Sequence, residues 1–209
     1  MEPSQSLPRF TIPIDDARPK GAARFELWAP KLKRRITLFD PFHVRLWTLL
    51  ESNPRVSAYC ERPTYWRHGE RRQLIDFWVK AGRRELCLLV MAEPRPSRAG
   101  FLSPDENVGV RYIDAKNLAS RNVWIENWMR ILPYLSSSAR FVSEQLMTDI
   151  EQATSHALTF GEIERNFHPH DIVLVRTAVF MLLHRGRLKA DALRLQPLGA
   201  EIRLRRACA

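Results

Sequence analysis

Gln73-Leu74-Ile75-Asp76-Phe77-Trp78-Val79, followed beyond Gly82 by Glu85-Leu86-Cys87-Leu88-Leu89-Val90-Met91, is the stretch that decides how this chain folds. Two short apolar runs rich in branched and aromatic residues, separated by a glycine turn, predict a β-hairpin of Leu74–Val79 with Leu86–Ala92. From Leu86 to Met91 the second run is apolar throughout, as a strand buried on both faces must be. Asp76 interrupts the first. No carboxylate and no lysine answers it on the second, so Asp76 stands nearly alone.

Outward from the hairpin, elements of both kinds alternate. Asp40-Pro41 opens a helix running to about Ser52, with an acidic N-cap and proline at the first helical position. Val44, Trp47, Leu49 and Leu50 form much of its apolar stripe, and Asn53-Pro54 ends it. Before it come a short strand at Phe25–Trp28, a basic loop over Ala29–Arg35, and the apolar Ile36-Thr37-Leu38-Phe39. After it, Val56–Cys60 and Tyr65-Trp66 are extended pieces around Pro63. A Pro/Arg loop over Glu93–Pro104 precedes an alternating strand at Val108–Ile113. Lys116–Leu135 begins as a polar turn and becomes a helix rich in Trp124, Trp128, Ile131 and Leu132. A helix set between pairs of strands predicts an α/β or α+β layer rather than a bundle.

Ser136-Ser137-Ser138 reads as a hinge, and beyond it the period changes. Phe141–His156 is helical, with Val142, Leu146 and Ile150 at spacing four. Thr159 with Glu162 makes a capping box for a second helix, and Asp171–Arg185 is a third, stopped by Gly186. Leu188–Leu195 and Ala200–Arg206 read as extended and basic. Three short helices followed by a two-stranded ribbon is a winged-helix pattern. The organisation expected is therefore a flexible arm over 1–21, an α/β domain over 22–135 and a small winged-helix domain over 139–209.

A chain of 209 residues has mass enough for such a core, and its net charge of +10 argues for a polyanionic partner, nucleic acid before an acidic membrane. Cys60, Cys87 and Cys208 lie far apart with no metal-ligand spacing. With no secretory leader and no apolar run of about 20 residues, reduced thiols and a cytoplasmic location without membrane insertion are expected. The tryptophans (Trp28, Trp47, Trp66, Trp78, Trp124, Trp128) mostly occur in apolar patterns and are read as core. His168-Pro169-His170 is read as a loop.

In this order the pieces resemble the TnsA-type endonuclease subunit of heteromeric transposases, over Arg24 to Arg206. The marks are Pro30-Lys31-Leu32 ahead of Leu38-Phe39-Asp40, then Leu50-Glu51-Ser52-Asn53-Pro54-Arg55-Val56, Glu61-Arg62-Pro63, Ile75-Asp76-Phe77-Trp78-Val79, and Asn122–Leu135 with its Leu-Pro-Tyr-Leu. The resemblance implies a restriction-endonuclease-like mixed sheet with flanking helices, then the winged helix. It also implies DNA, a DDE-type transposase subunit and an ATPase regulator as partners.

The catalytic set carries over badly. The family's helix glutamate falls on His43, and its aspartate on Asp76. Its final acidic-or-Gln-x-Lys pair falls on Leu89 and Met91, or on Met91 and Glu93, and neither choice restores a lysine. Metal-assisted phosphodiester hydrolysis needs carboxylates to hold Mg²⁺ and a cation to position the attacking water. His43 is a poor ligand for so hard an ion. The expectation is a DNA-binding protein of transposition type that does not cut and needs no cofactor. Asp76 is then a vestigial metal ligand, or a strand-end carboxylate paired with Arg72 or Arg84.

Two alternatives stay open. One is an active, Mg²⁺-dependent endonuclease with its acid migrated to Glu93, beside Arg95. The other is a winged-helix transcriptional regulator with an unrelated N-terminal domain. Phosphate contacts are expected from Lys31, Lys33, Arg34 and Arg35, from Arg67, Arg71 and Arg72, and from Arg83 and Arg84 at the hairpin turn. In the C-terminal domain Arg176 and Thr177 would be exposed on the third helix, with Ile172, Val175, Val179 and Leu183 inward. Arg187, Lys189, Arg194, Arg203 and Arg205 would decorate the wing. That helix is so apolar that it suits protein docking as well as DNA.

Overall fold

The hairpin forms around Gly82, whose φ of 61° is a left-handed conformation that glycine adopts without strain. Strand β6 (Phe77–Ala81) runs antiparallel to β7 (Arg84–Val90), with Phe77 opposite Leu88 and Trp78 opposite Cys87. The computed structural model describes residues 8–14, 18–68, 71–91 and 108–207, with the side chains of 66–68 and 71 left aside. They fall into two compact units: Met1–Leu50 with Arg55–Ala119, and Glu51–Pro54 with Ser120–Ala209.

In the first unit β6 and β7 are the middle of a four-stranded mixed sheet, ordered β3-β6-β7-β8. Strand β3 (Val56–Glu61) lies antiparallel to β6, and β8 (Val108–Ile113) lies parallel to β7. Two small hairpins accompany it, β1 (Phe25–Ala29) with β2 (Arg34–Leu38), and β4 (Tyr65–His68) with β5 (Arg71–Leu74). The expected strand Leu74–Val79 is thus two strands with a corner at Ile75-Asp76. There the backbone changes partners: Ile75 N–H donates to the Thr64 carbonyl, Asp76 N–H to that of Leu88, and the Asp76 carbonyl accepts from Arg62 N–H.

One face of the sheet holds a cluster of Cys60, Ile75, Trp78, Cys87, Leu89 and Val108. Phe10 packs against it, edge-on to Trp78 with ring centroids 5.8 Å apart. Arg9 pairs with Glu85 at 2.9 Å, and Ile14 N–H donates to the Arg62 carbonyl. Residues 8–14 are therefore part of the sheet's covering and not a free arm, because Phe10 and Ile14 have apolar and backbone partners to meet.

Helix α1 (Pro41–Glu51) touches the sheet through Trp47, whose indole N–H donates to Tyr59 Oη at 2.8 Å, and through His43. Asp40 caps it by accepting from Phe42 N–H at 2.6 Å. Its buried stripe includes Leu46 as well as Val44, Trp47 and Leu50. Lys116 lies in a short helix α2 (Ala115–Ala119), not in a turn.

The second unit is built on helix α3 (Asn122–Ser137), which the sequence reading had joined to the preceding sheet. Ile125, Trp128, Ile131, Leu132 and Leu135 are its buried positions. Ser136 and Ser137 are not a hinge: both hydroxyls donate to the Pro133 carbonyl and finish the helix. A 3₁₀ turn at Ala139–Phe141 leads to α4 (Glu144–Ala153). Then follow β9 (Leu158–Thr159), α5 (Phe160–Asn166), α6 (Ile172–His184), β10 (Leu188–Lys189) and β11 (Arg203–Arg206). The three strands pair antiparallel in the order β10-β11-β9.

The expected capping box is present, Thr159 with Glu162. Residues 191–194 are a 3₁₀ turn rather than an extension of β10. Buried Asn127 explains that fold-back, since its amide donates to the Leu193 and Gln196 carbonyls and its oxygen accepts from Leu198 N–H. Glu51, fully buried, accepts a 2.8 Å bond from His184.

Candidate functional site

The corner at Asp76 brings its side chain to α1. His43 Nε2 lies 2.8 Å from Asp76 Oδ1, and Asp76 Oδ2 accepts from Val90 N–H at 2.6 Å. Asp76 therefore pairs with His43, not with Arg72 or Arg84. Both carboxylate oxygens have protein partners. The two side chains are 24% and 22% exposed, so the pair opens to solvent.

The strand register determines what else faces it. Leu88 is opposite Phe77, whose ring lies 6.3 Å from that of His43, and residues two apart on a strand share a face. Leu88 and Val90 thus occupy the positions beside Asp76. Leu89 belongs to the opposite cluster with Trp78, and the backbone of Met91 pairs with Ile113. The sequence count had left two choices, Leu89 with Met91 or Met91 with Glu93, and Glu93 lies outside the described residues. The corner at Ile75-Asp76 puts the Asp76 carboxylate on the Phe77 and His43 side, away from the cluster that holds Leu89.

A divalent ion of the Mg²⁺ kind would want several oxygen ligands here. Among the described residues, no three His, Cys, Asp or Glu side chains converge as a metal-ligand group. Beside Asp76 stand an imidazole and two hydrocarbon side chains. The described residues do not fit such an ion. Glu93 and Arg95 lie outside the described residues.

The basic candidates separate by partner. Lys31 Nζ donates to the Val56 carbonyl. Arg34 grips Glu61 with two bonds of 2.7 and 2.6 Å, and that hydrogen bonding holds its guanidinium above its ordinary pKa. Arg72 stacks over Tyr65 at 3.7 Å from the ring centroid. Lys33, Arg35, Arg83 and Arg84 are exposed, while the side chains of Arg67 and Arg71 lie outside what is described.

In the second unit Arg176 bonds Glu164 at 2.7 Å, and Arg187 pairs with Glu151. Thr177 is buried, its hydroxyl turned back to the Val173 carbonyl, while Ile172 and Val173 are exposed. The expected assignment of the α6 faces is reversed at those positions. Arg205 pairs with Asp191 at 3.1 Å, and Lys189 and Arg203 are exposed. Arg194 stacks on Trp124 rather than extending from a wing.

Trp47, Trp78 and Trp128 are core, as read, whereas Trp28 is exposed. Sequence reasoning missed Glu61 and Arg62 as functional neighbours. Their only signal was the Glu-Arg-Pro motif itself, which does not say that Arg62 adopts a left-handed φ of 44° with its N–H on the Asp76 carbonyl.

No family model matches the chain, and no curated protein matches it significantly.

Proposed function

We propose that this chain is a DNA-binding subunit of a transposition machinery, built like a TnsA-type endonuclease, whose nuclease-like domain holds DNA without cutting it. The observation that carries the reading is the Asp76 corner. A sheet hairpin presents an acid at the start of β6 next to a helix, as a restriction-endonuclease-like site does. Here that acid is bound to His43 and to the Val90 amide. Loss of even one stabilising group at a reacting centre typically costs ~10²–10³ in rate, and the described residues of this corner supply no second carboxylate and no lysine beside Asp76.

From α4 onward, the second unit supports a winged-helix reading through its order of helix, strand, two helices and two strands, with β9 joining the ribbon. Lys189 and Arg203 are exposed on the strands, while α6 exposes the apolar Ile172 and Val173 in its first turn, so we assign DNA contact to the ribbon in preference to α6. By the same resemblance, the partners are a DDE-type transposase subunit and an ATPase regulator.

The test is duplex DNA binding as a function of salt. Affinity should fall with a log–log slope of about −0.9 per phosphate neutralised. Replacing Lys33 and Arg35 together by alanine should weaken binding and flatten the slope by about two phosphates' worth. Arg34 is left intact, since removing it would strand buried Glu61 and confuse binding with folding. No binding at low salt would end the DNA reading.

A further inference from the structure

Beside the β1–β2 hairpin, and distinct from the Asp76 corner, lies a cavity of about 420 Å³ into which five arginines converge: Arg18, Arg24, Arg34, Arg35 and Arg62. Glu61 is the one acidic side chain lining it among the described residues. Glu61 is committed to Arg34, and Arg24 pairs with Glu26 at 2.6 Å on the exposed rim. The other three have no carboxylate among the described residues, and Asp15 and Asp16 lie outside them. Arg18 Nε donates to the Ala22 carbonyl, and Arg62 donates to the carbonyls of Ile14 and Thr37. Arg35 is an exposed residue.

Such a group of cations cannot relieve its repulsion by losing protons, because a guanidinium stays charged throughout the physiological range. A bound anion relieves it. Planar guanidinium groups match the oxygens of phosphate two at a time, and several can share one dianion. The volume is far more than one ion needs and lies within the usual range for small-molecule sites. The rest of the lining is apolar, with Phe39, Ile12, Pro13 and Ile14, and the guanidinium of Arg62 lies 5.4 Å from the Phe39 ring centroid. An aromatic face and a guanidinium plane are the surfaces on which a base stacks.

We propose that this cavity binds a nucleoside phosphate, with its phosphate among the arginines and its flat base against the Phe39 side. The phosphate has two possible sources, a free nucleotide or the phosphorylated terminal nucleotide of a strand. Nothing in the argument depends on the transposition reading, because the cavity is recessed and its chemistry is complete without a duplex.

The experiment uses the full chain at fixed low salt and measures affinity for four probes. They are a deoxynucleoside 5′-monophosphate, the same nucleoside without phosphate, and a short single strand with and without its 5′-phosphate. Removing the phosphate should weaken at least one of the two pairs by about tenfold or more, as expected for loss of charge-assisted bonds. Arg35→Gln should lower the affinity of the phosphorylated probe about fivefold, with the melting temperature unchanged because Arg35 is exposed.

A gain confined to the mononucleotide assigns a free ligand, a gain confined to the oligonucleotide assigns a strand end, and either upholds the site. Equal binding of phosphorylated and unphosphorylated probes, no binding of any probe, or full affinity in Arg35→Gln overturns it. Nucleotide binding without duplex binding would uphold the cavity while sinking the DNA-subunit reading, and the converse result would do the reverse.

Discussion

His43, on the first turn of α1, and Asp76, at the corner before β6, meet through a 2.8 Å hydrogen bond that joins the helix to the sheet. The same carboxylate holds the Val90 amide of the neighbouring strand, so Asp76 ties three elements together. A residue read from the sequence as a vestigial metal ligand or as the partner of a nearby arginine is paired, in the fold, with His43.

From this follows a prediction about chemistry and stability together. The purified protein should not nick duplex DNA in Mg²⁺ or Mn²⁺. Asp76→Ala should lower stability by about 1–3 kcal/mol, since it leaves the Val90 N–H without its acceptor. Chemical denaturation of the single and double variants with His43→Ala measures the coupling, expected near 1 kcal/mol. Metal-dependent nicking abolished by Asp76→Ala and by Glu93→Ala would show instead an active site whose acid has migrated.

Arg34 and Glu61 form a second pair. Glu61 is 1% exposed and is gripped by two bonds from Arg34. Breaking a buried pair from one side typically costs about 3–5 kcal/mol. Arg34→Ala should therefore destabilise far more than Arg35→Ala, which removes an exposed side chain. Parallel urea titrations read the difference, and equal midpoints would refute a structural role for Arg34.

Burial sets a pH dependence for the two sheet cysteines. Loss of solvent pushes the thiols of Cys60 and Cys87 up from about 9 to about 11. Between those values the folded protein keeps protons that the unfolded chain releases, so stability is full below pH 9 and falls as pH rises toward 11. Cys60→Ala and Cys87→Ala should each flatten that decline in melting temperature. At pH 8 both thiols should resist a thiol reagent until denaturant is added.

The capping box at the start of α5 predicts the opposite limb. Glu162 accepts from the Thr159 amide and hydroxyl, and these bonds hold its carboxyl below the usual value. The sign is that of a depressed acid: its contribution is present above the unfolded pKa of 4.5 and is lost as pH falls through the folded one. Glu162→Gln should remove that part of the acid sensitivity, measured as melting temperature between pH 3 and 6. Thr159→Ala should cost about 1 kcal/mol, as loss of an N-cap does.

Much of the architecture was legible because it is local. The Gly82 turn between two apolar runs, the Asp40-Pro41 helix start and the Thr159/Glu162 box each carry their cause within a few residues. Period and capping made these elements readable before any contact was known. What the sequence could not carry was where long-range partners sit. Ser136-Ser137-Ser138 looks like a hinge until Pro133 offers its carbonyl, and Leu188–Leu195 looks extended until Asn127 folds it back from more than sixty residues away.

By itself, then, the sequence determined strands and helices in an α/β or α+β layer, a helix-rich C-terminal part and a net charge of +10. It also placed His43 and Asp76 at related positions without saying that they touch. The tertiary structure alone decided that both oxygens of Asp76 are occupied and that Leu88 and Val90, not Leu89 and Met91, flank it. It alone gathered arginines from positions 18 to 62 around one cavity. The physical reason is register. A side chain's face on a strand changes with every residue, so which residues of β7 flank Asp76 depends on how β7 pairs with β6 and on the corner at Ile75-Asp76, and no pattern within the hairpin reveals either.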